Sequence, residues 1–227
     1  MIPRSELIDI VDGSGRLQLR GATTAFGLFV DGYPIAANWY DCEGSIGQYF
    51  YRVAGCSLEQ SAAVVREAVR DALPPDRPLA EWFWPLFKQF ASGAYRLSYD
   101  EVGPGLQFWE VNYTSGRETI PYPYQYANEL RTNRVLLPTQ STDTRDQDCI
   151  LKWAAAIESG QRPTIITTTL DGADSEIVLD GHHKFAAYEL VGVAARRLAI
   201  VPLAPLPLKV SDWPGGRLPD PPESSPK

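Results

Sequence analysis

Short apolar runs, separated by polar residues or glycine, dominate the first quarter of the chain. They occupy residues 16–21, 25–30, 33–40 and 47–53. Asp31 and Gly32 separate the second run from the third. An Asp-Gly pair between apolar runs is a strong hairpin signal, because both central residues of the tight turn need positive φ. The pattern therefore predicts an antiparallel sheet.

Helical spacing replaces this pattern after residue 56. Residues 57–60, Ser-Leu-Glu-Gln, form a capping box, and apolar residues then recur with a helical period up to two prolines at 74–75. A second helix is predicted from Leu79 to Phe90 despite Pro85, with its aromatic side chains in the core. Residues 94–99 and 106–113 read as two strands around a Gly-Pro-Gly turn. This part of the chain is predicted to be an α+β unit.

Prolines mark two changes in organisation. Proline and tyrosine alternate through residues 120–126, which indicates an extended connector, and we place a domain boundary near residue 130. Eight of the 19 prolines lie in the last 26 residues, which predicts an extended tail. The predicted organisation is an α+β unit over residues 1–130, an α/β unit over residues 131–208 and a Pro-rich tail over residues 209–227.

The second unit has the clearest pattern of strands and helices. A short strand at 135–138 leads through an acidic stretch to a helix that ends at Gly160. A β-branched strand at 163–169, the turn Asp171-Gly172 and a returning strand at 176–179 follow. The chain then forms a helix that ends at Gly192 and a last strand at 196–203.

The junction between the returning strand and the last helix carries the candidate chemistry. Its sequence is Asp180-Gly181-His182-His183-Lys184. A helix that starts directly after a strand leaves its first backbone amides unpaired, and these amides and the helix dipole favour an anion. The two histidines of the chain and a lysine lie at the same point. The alternative is an ordinary solvated helix start with Asp180 as N-cap. A zinc site is disfavoured because adjacent side chains project about a hundred degrees apart and no cysteine lies nearby.

Composition excludes several classes of protein. Lys and Arg number 21 against 28 Asp and Glu, a formal net charge of −7, so a uniformly basic surface for duplex DNA is not expected. Hydrophobic residues make up 44% of the chain, as in ordinary globular proteins, and we find neither a signal peptide nor a membrane span in the sequence. We therefore expect a cytoplasmic protein whose three cysteines are reduced, mostly buried thiols, with a Cys42–Cys56 disulfide as the alternative.

The order of elements from residue 135 to 203 and the stretch VLDGHHKFAAYELVG resemble the ParB/sulfiredoxin-like superfamily. The stretch is most similar to the Asp-Gly-His-His-Arg branch, which includes free-serine kinases. The resemblance implies that this turn holds nucleotide phosphates, which makes the five junction residues 180–184 a phosphate site, with Gly181 and His183 as the most direct contacts.

Departures from the family pattern exclude some of the activities that the family includes. His182 stands where sulfiredoxins have their catalytic cysteine, and no helical DNA-binding region follows the motif as it does in partition proteins, so neither activity is expected. Gln140 lies near the place of the carboxylate that activates the acceptor hydroxyl in the serine kinases. Asp143 and Asp146, and also Asp148, are candidates for that role, although acidic residues before a helix are more often caps.

The resemblance implies a nucleotide-phosphate-binding protein, either a small-molecule kinase or a nucleotide hydrolase. Its expected cofactor is ATP or ADP with Mg²⁺, its expected partner is a small acceptor with a hydroxyl group, and His183 would stabilise the developing charge. The alternative is a non-catalytic interaction protein of the immunity or adaptor type on the same fold. The aromatic N-terminal sheet and the loss of the family carboxylate favour this alternative.

Overall fold

A computed structural model describes most of both predicted units. It covers residues 3–23, 25–40, 48–52, 77–103, 107–108, 135–139, 145–173, 175–209 and 212. Several predictions lie outside these residues: the capping box at 57–60 and its helix, Cys42 and Cys56, the connector at 120–126, the boundary near 130, Gln140, Asp143 and most of the Pro-rich tail.

The described residues form eleven strands and four helices. The strands are β1 (Arg4–Ser14), β2 (Leu17–Ala22), β3 (Ala25–Val30), β4 (Tyr33–Tyr40), β5 (Gln48–Arg52), β6 (Ala91–Val102), β7 (Gln107–Phe108), β8 (Val135–Pro138), β9 (Thr164–Thr168), β10 (Ser175–Asp180) and β11 (Ala195–Pro202). The helices are α1 (Leu79–Trp82), α2 (Trp84–Phe87), α3 (Gln147–Glu158) and α4 (His182–Val191). This mixed content confirms the α+β class.

The smaller sheet is the predicted antiparallel one. Its strand order is β2-β3-β4-β5, and the turn between β3 and β4 has φ of 50° at Asp31 and 82° at Gly32. Both values are positive, as a two-residue turn between twisted strands requires. The hairpin prediction is confirmed.

The larger sheet combines strands from both predicted units. Its order is β1-β6-β11-β9-β10-β8-β7, and β6 pairs antiparallel with β1 on one side and with β11 on the other. The pairs β8–β10, β7–β8 and β9–β11 are parallel. The sequence left open whether the N-terminal unit packs into one sheet with the rest, and the structure shows that its strands β1, β6 and β7 do.

Each face of this sheet has its own core. One face packs against the smaller sheet and the aromatic residues of α1 and α2 in a single cluster. On the other face, α3 and α4 pack on β8, β9, β10 and β11. The alternation of side chains along each strand produces both cores, because successive residues point to opposite faces.

Two local predictions need correction. The aromatic segment forms two short helices, not one, because the backbone leaves the helical conformation at Phe83 and Pro85, in the first turn of α2, cannot donate a helical hydrogen bond. Its aromatic residues are nevertheless in the core, with Phe83, Phe87 and Phe90 at most 4% exposed. The sequence analysis also missed β1, whose outward-facing side includes Leu7 and Val11, which are 73% and 66% exposed.

A buried cluster of charged side chains crosses four strands of the larger sheet. The guanidinium of Arg197 donates to both carboxylate oxygens of Asp100, at 3.0 and 2.6 Å, and also to the carboxylate of Glu176. Thr167 donates to the second oxygen of Glu176 at 2.7 Å. Arg197 is 2% exposed and Glu176 is 1% exposed. Charged groups this deep are tolerated when they are paired and hydrogen-bonded, as they are here.

Candidate functional site

Two helices begin at the same edge of the larger sheet. Strands β8 and β10 are parallel neighbours, so their carboxyl ends, Pro138 and Asp180, lie at one edge. Helix α4 starts directly after β10, and α3 starts at Gln147, after the segment that follows β8. The N-termini of both helices therefore lie beside these strand ends, where open α/β sheets bind their ligands.

Helix α4 starts at a glycine that tight packing requires. Gly181 is the N-cap residue, with φ of 106° and ψ of 22°, and as a glycine it has no side chain to cap the helix. A Cβ atom at this position would lie 2.8 Å from Cγ2 of Ile165 and 3.0 Å from its Cα. Asp180 is not the N-cap that the alternative interpretation assigned to it. The first-turn amides of α4 have no helical acceptor, and the N-cap glycine offers them no side chain.

His182 connects this helix to the end of β8. Its buried ring accepts a hydrogen bond at Nε2 from the backbone N–H of Thr139, at 3.0 Å. The Thr139 hydroxyl donates in turn to the carbonyl of Val178 at 2.8 Å. The imidazole, the strand end and the next strand are therefore held by one chain of hydrogen bonds.

His183 connects the same helix to α3. Its Nε2 accepts from the backbone N–H of Asp146 at 3.0 Å. Partial burial lowers the pKa of His183, and the positive charge of Arg145 lowers it further, while the carboxylates of Asp146 and Asp180 oppose the shift. The imidazole is consequently neutral at pH 7, since its ordinary pKa of 6.5 is already below that value.

Lys184 is held on the strand side of the helix start. Its ammonium donates to Oδ2 of Asp180 at 2.6 Å and to the carbonyl of Thr164 at 3.2 Å, and it lies 5.7 Å from the centre of the Trp153 ring. These contacts fix the position of the Lys184 ammonium. The Asp180 carboxylate also offsets part of its charge.

Asp146 caps α3 through its side chain. Oδ1 accepts from the backbone N–H groups of Asp148, at 2.9 Å, and Cys149, at 3.3 Å. This is the capping role that the sequence analysis set against a catalytic one, and the catalytic role of Asp146 stays a prediction. Cys149 itself is a free thiol of intermediate exposure.

The structure thus brings together Asp146 and all five residues from Asp180 to Lys184. Sequence reasoning missed two neighbours, Thr139 and Arg145, which carry no motif. The available signals were weak: Thr139 is a polar residue directly after a strand, and Arg145 is a basic residue directly before an N-cap.

Variants of Asp146, the N-cap of α3, can separate its contribution to stability from a catalytic role. Replacing Asp146 by alanine is expected to lower the free energy of unfolding by about 0.5–2 kcal/mol, because two first-turn amides of α3 lose their acceptor. Asp146→Asn is expected to preserve stability, since asparagine caps equally well. Urea unfolding of both variants, with Asp148→Asn as a matched control, tests this. Equal losses in the alanine and asparagine variants would contradict the capping role.

Comparison with known proteins gives no relative: no family model, curated protein or solved structure matches the chain significantly. Over the described residues, no helix is long and apolar enough to cross a membrane. Within the same part of the chain, no group of three or more His, Cys, Asp or Glu side chains is arranged to hold a metal ion.

Proposed function

We propose that this chain binds nucleotide phosphates at the junction of β10 and α4, as a ParB/sulfiredoxin-like protein, and acts as a small-molecule kinase or a nucleotide hydrolase. The observation that carries the proposal is the convergence of two helix N-termini at one sheet edge, joined by the hydrogen bond from the Asp146 amide to His183. Both helix dipoles then present partial positive charge to the same space, which favours an anion.

The proposed phosphate site combines backbone and side-chain groups. The first-turn amides from His182 to Lys184 would donate to phosphate oxygens, as helix N-termini do in other phosphate sites. Arg145 and Lys184 supply positive charge beside them. Asp180 would hold the ammonium in place. Mg²⁺ would enter with the nucleotide and would offset the negative charge of its phosphates.

The proposed reaction is transfer of the terminal phosphoryl group. The acceptor oxygen forms a bond to the terminal phosphorus while the bond from that phosphorus to the bridging oxygen breaks, and the nucleotide leaves with the shared electron pair. The acceptor proton passes to a carboxylate, for which Asp146 and Asp143 are the candidates; Asp143 lies outside the described residues. A hydroxyl acceptor makes the protein a kinase, and water makes it a hydrolase.

Nucleotide binding is tested by thermal unfolding with ATP, ADP and CTP, each with and without Mg²⁺. A ligand at about a hundred times its Kd adds about 2.7 kcal/mol to stability, which corresponds to a rise in Tm of roughly 5–10 °C for a chain of this size. We expect His183→Ala to abolish the rise.

Lys152→Ala is the matched control for nucleotide binding, because it removes an exposed charge from α3 away from the junction. This variant should keep the full rise. Absence of stabilisation by every nucleotide would contradict the proposal. If nucleotide binds, loss of turnover in Asp146→Asn, whose cap is intact, would identify the acceptor base.

One observation favours the alternative, an interaction protein. Leu7 and Val11 are highly exposed on β1, and β1 is the edge strand of the larger sheet in the described strand order. Exposed apolar residues on an edge strand are a common site of association. A stoichiometric complex that Leu7→Lys disrupts, together with no response to nucleotide, would favour this function over the enzymatic one.

A further inference from the structure

Both histidines of the motif use Nε2 in the same way, as an acceptor for a backbone N–H group of another element. We propose that His182 and His183 are positioning residues of the anion site: they act as neutral acceptors that hold the site together, and not as cationic ligands of the phosphate. The inference rests on the proposed function for its ligand, but the state of the rings can be measured without one.

The chemistry of the two hydrogen bonds fixes the protonation of Nε2. A backbone N–H can only donate, so the nitrogen that faces it must carry a lone pair. For His183 the donor is the Asp146 amide at 3.0 Å. For His182 the donor is the Thr139 amide, because the Thr139 hydroxyl gives its own proton to the Val178 carbonyl. Each neutral ring therefore carries its proton on Nδ1.

The adjacent positions of the histidines explain how one helix start can hold two elements. Successive residues of a helix project about a hundred degrees apart. His182 reaches the end of β8, while His183 reaches the residue that caps α3. The two rings thereby fix the first turn of α4 relative to the end of β8 and the start of α3, and this relative placement is what a phosphate held by both helix dipoles would need.

The charges around His183 decide how acid affects the site. Asp146 and Arg145 face the ring from the start of α3, and Asp180 faces it from the end of β10, where it is paired with Lys184 of α4. Burial and Arg145 outweigh the two carboxylates, so the pKa is lowered. A proton on Nε2 would set one N–H against another and release the Asp146 amide. Acid should therefore weaken anion binding, whereas an imidazolium that contacted phosphate would strengthen it.

The sign of the pH effect is the test, and sulfate is the probe because it stays a dianion over the range used. We expect sulfate affinity, measured by calorimetry, to fall between about pH 7.5 and about pH 5.5, by less than about ten-fold because the lowered pKa leaves His183 only partly protonated at the lower pH. His183→Gln supplies an uncharged acceptor and should keep the affinity at pH 7.5 while losing the pH dependence. His183→Lys supplies charge without an acceptor and should lose the affinity. Tighter binding in acid, or retention in the lysine variant and loss in the glutamine variant, would overturn the inference.

Ring-nitrogen NMR of the ligand-free protein separates this inference from the proposed function. Two unprotonated Nε2 atoms at pH 7.5, and an Asp146 amide signal that titrates together with His183, would support the positioning role even if no anion binds. Failure of all anions to bind would then count against the proposed function alone. A proton on Nε2 of either ring at pH 7.5 would overturn the inference whatever the ligand experiments show.

Discussion

Replacing Arg197 by methionine is expected to lower the free energy of unfolding by about 3–5 kcal/mol, because the change removes one member of a buried ion pair and leaves the charge of its partner inside the protein. Glu176 is that partner and is 1% exposed. Asp100 loses its bidentate hydrogen bonds to the guanidinium in the same change. For a chain of this length the loss corresponds to a fall in Tm of roughly 6–20 °C. Urea unfolding at pH 7 measures it.

The exposed pair of Arg96 and Asp171 is the matched control for Arg197. It joins an arginine on the neighbouring strand β6 to a side chain that is 68% exposed. Arg96→Met should change stability far less, because water already screens that pair. The double variant Arg197→Met with Glu176→Leu should recover much of the loss, since the buried Glu176 charge is then removed together with its partner and the remaining Asp100 side chain is 27% exposed to water. Equal effects of the two single arginine variants would refute the importance of burial.

Gly181→Ala is expected to lower the free energy of unfolding by about 2–5 kcal/mol and to abolish nucleotide binding. Two costs combine at this position. Its φ of 106° is a conformation that residues with a Cβ rarely adopt, and the added Cβ would meet the Ile165 side chain and backbone at 2.8–3.0 Å. The backbone of a central strand cannot move aside cheaply, so the first turn of α4 would shift away from the site.

Gly192 at the other end of α4 provides the control for Gly181. Its φ is 74°, and a Cβ there would meet nothing within 4 Å. Gly192→Ala should therefore cost only the backbone strain, about 1–2 kcal/mol, and leave ligand binding intact. The comparison isolates the close approach to Ile165. If both variants lost equal stability, the close contact between position 181 and Ile165 would contribute nothing to the loss.

Local signals predicted much of this fold. The Asp31-Gly32 turn, the strands beside it and the helix that ends at Gly160 are all specified by neighbouring residues, and the structure has them within one or two residues of the prediction. In each case a turn or stop signal lies at the end of the element, so the element can be recognised without knowledge of its partners.

Features that depend on distant partners could not be predicted. Strand β1 has an alternation that is meaningful only beside β6, and its exposed Leu7 and Val11 weaken the usual contrast between buried apolar and exposed polar positions. Arg197 and Glu176 lie in otherwise apolar strands, and nothing close in sequence indicates that they meet. Pro85 was a sequence signal for the break at Phe83. The prediction gave more weight to the helical spacing of the aromatic residues.

The candidate site also has one part that local sequence predicted and one part that depends on distant residues. The motif from Asp180 to Lys184 is contiguous, and the sequence placed it correctly at the start of a helix. The partners of its two imidazoles, Thr139 and Asp146, come from elements some forty residues earlier. Only the parallel pairing of β8 with β10 brings them to the motif, and parallel pairing leaves no local signal.

The position of β6 between β1 and β11 has a consequence for the synthesis of the chain. One edge of this strand pairs with β1, which the ribosome makes earlier, but its other edge pairs with β11, made roughly a hundred residues later. Until then a nascent chain presents a long unpaired strand edge of the kind that aggregates. The larger sheet can therefore be completed only after β11 has been made, and chaperones that shield nascent strands have most to protect before that point.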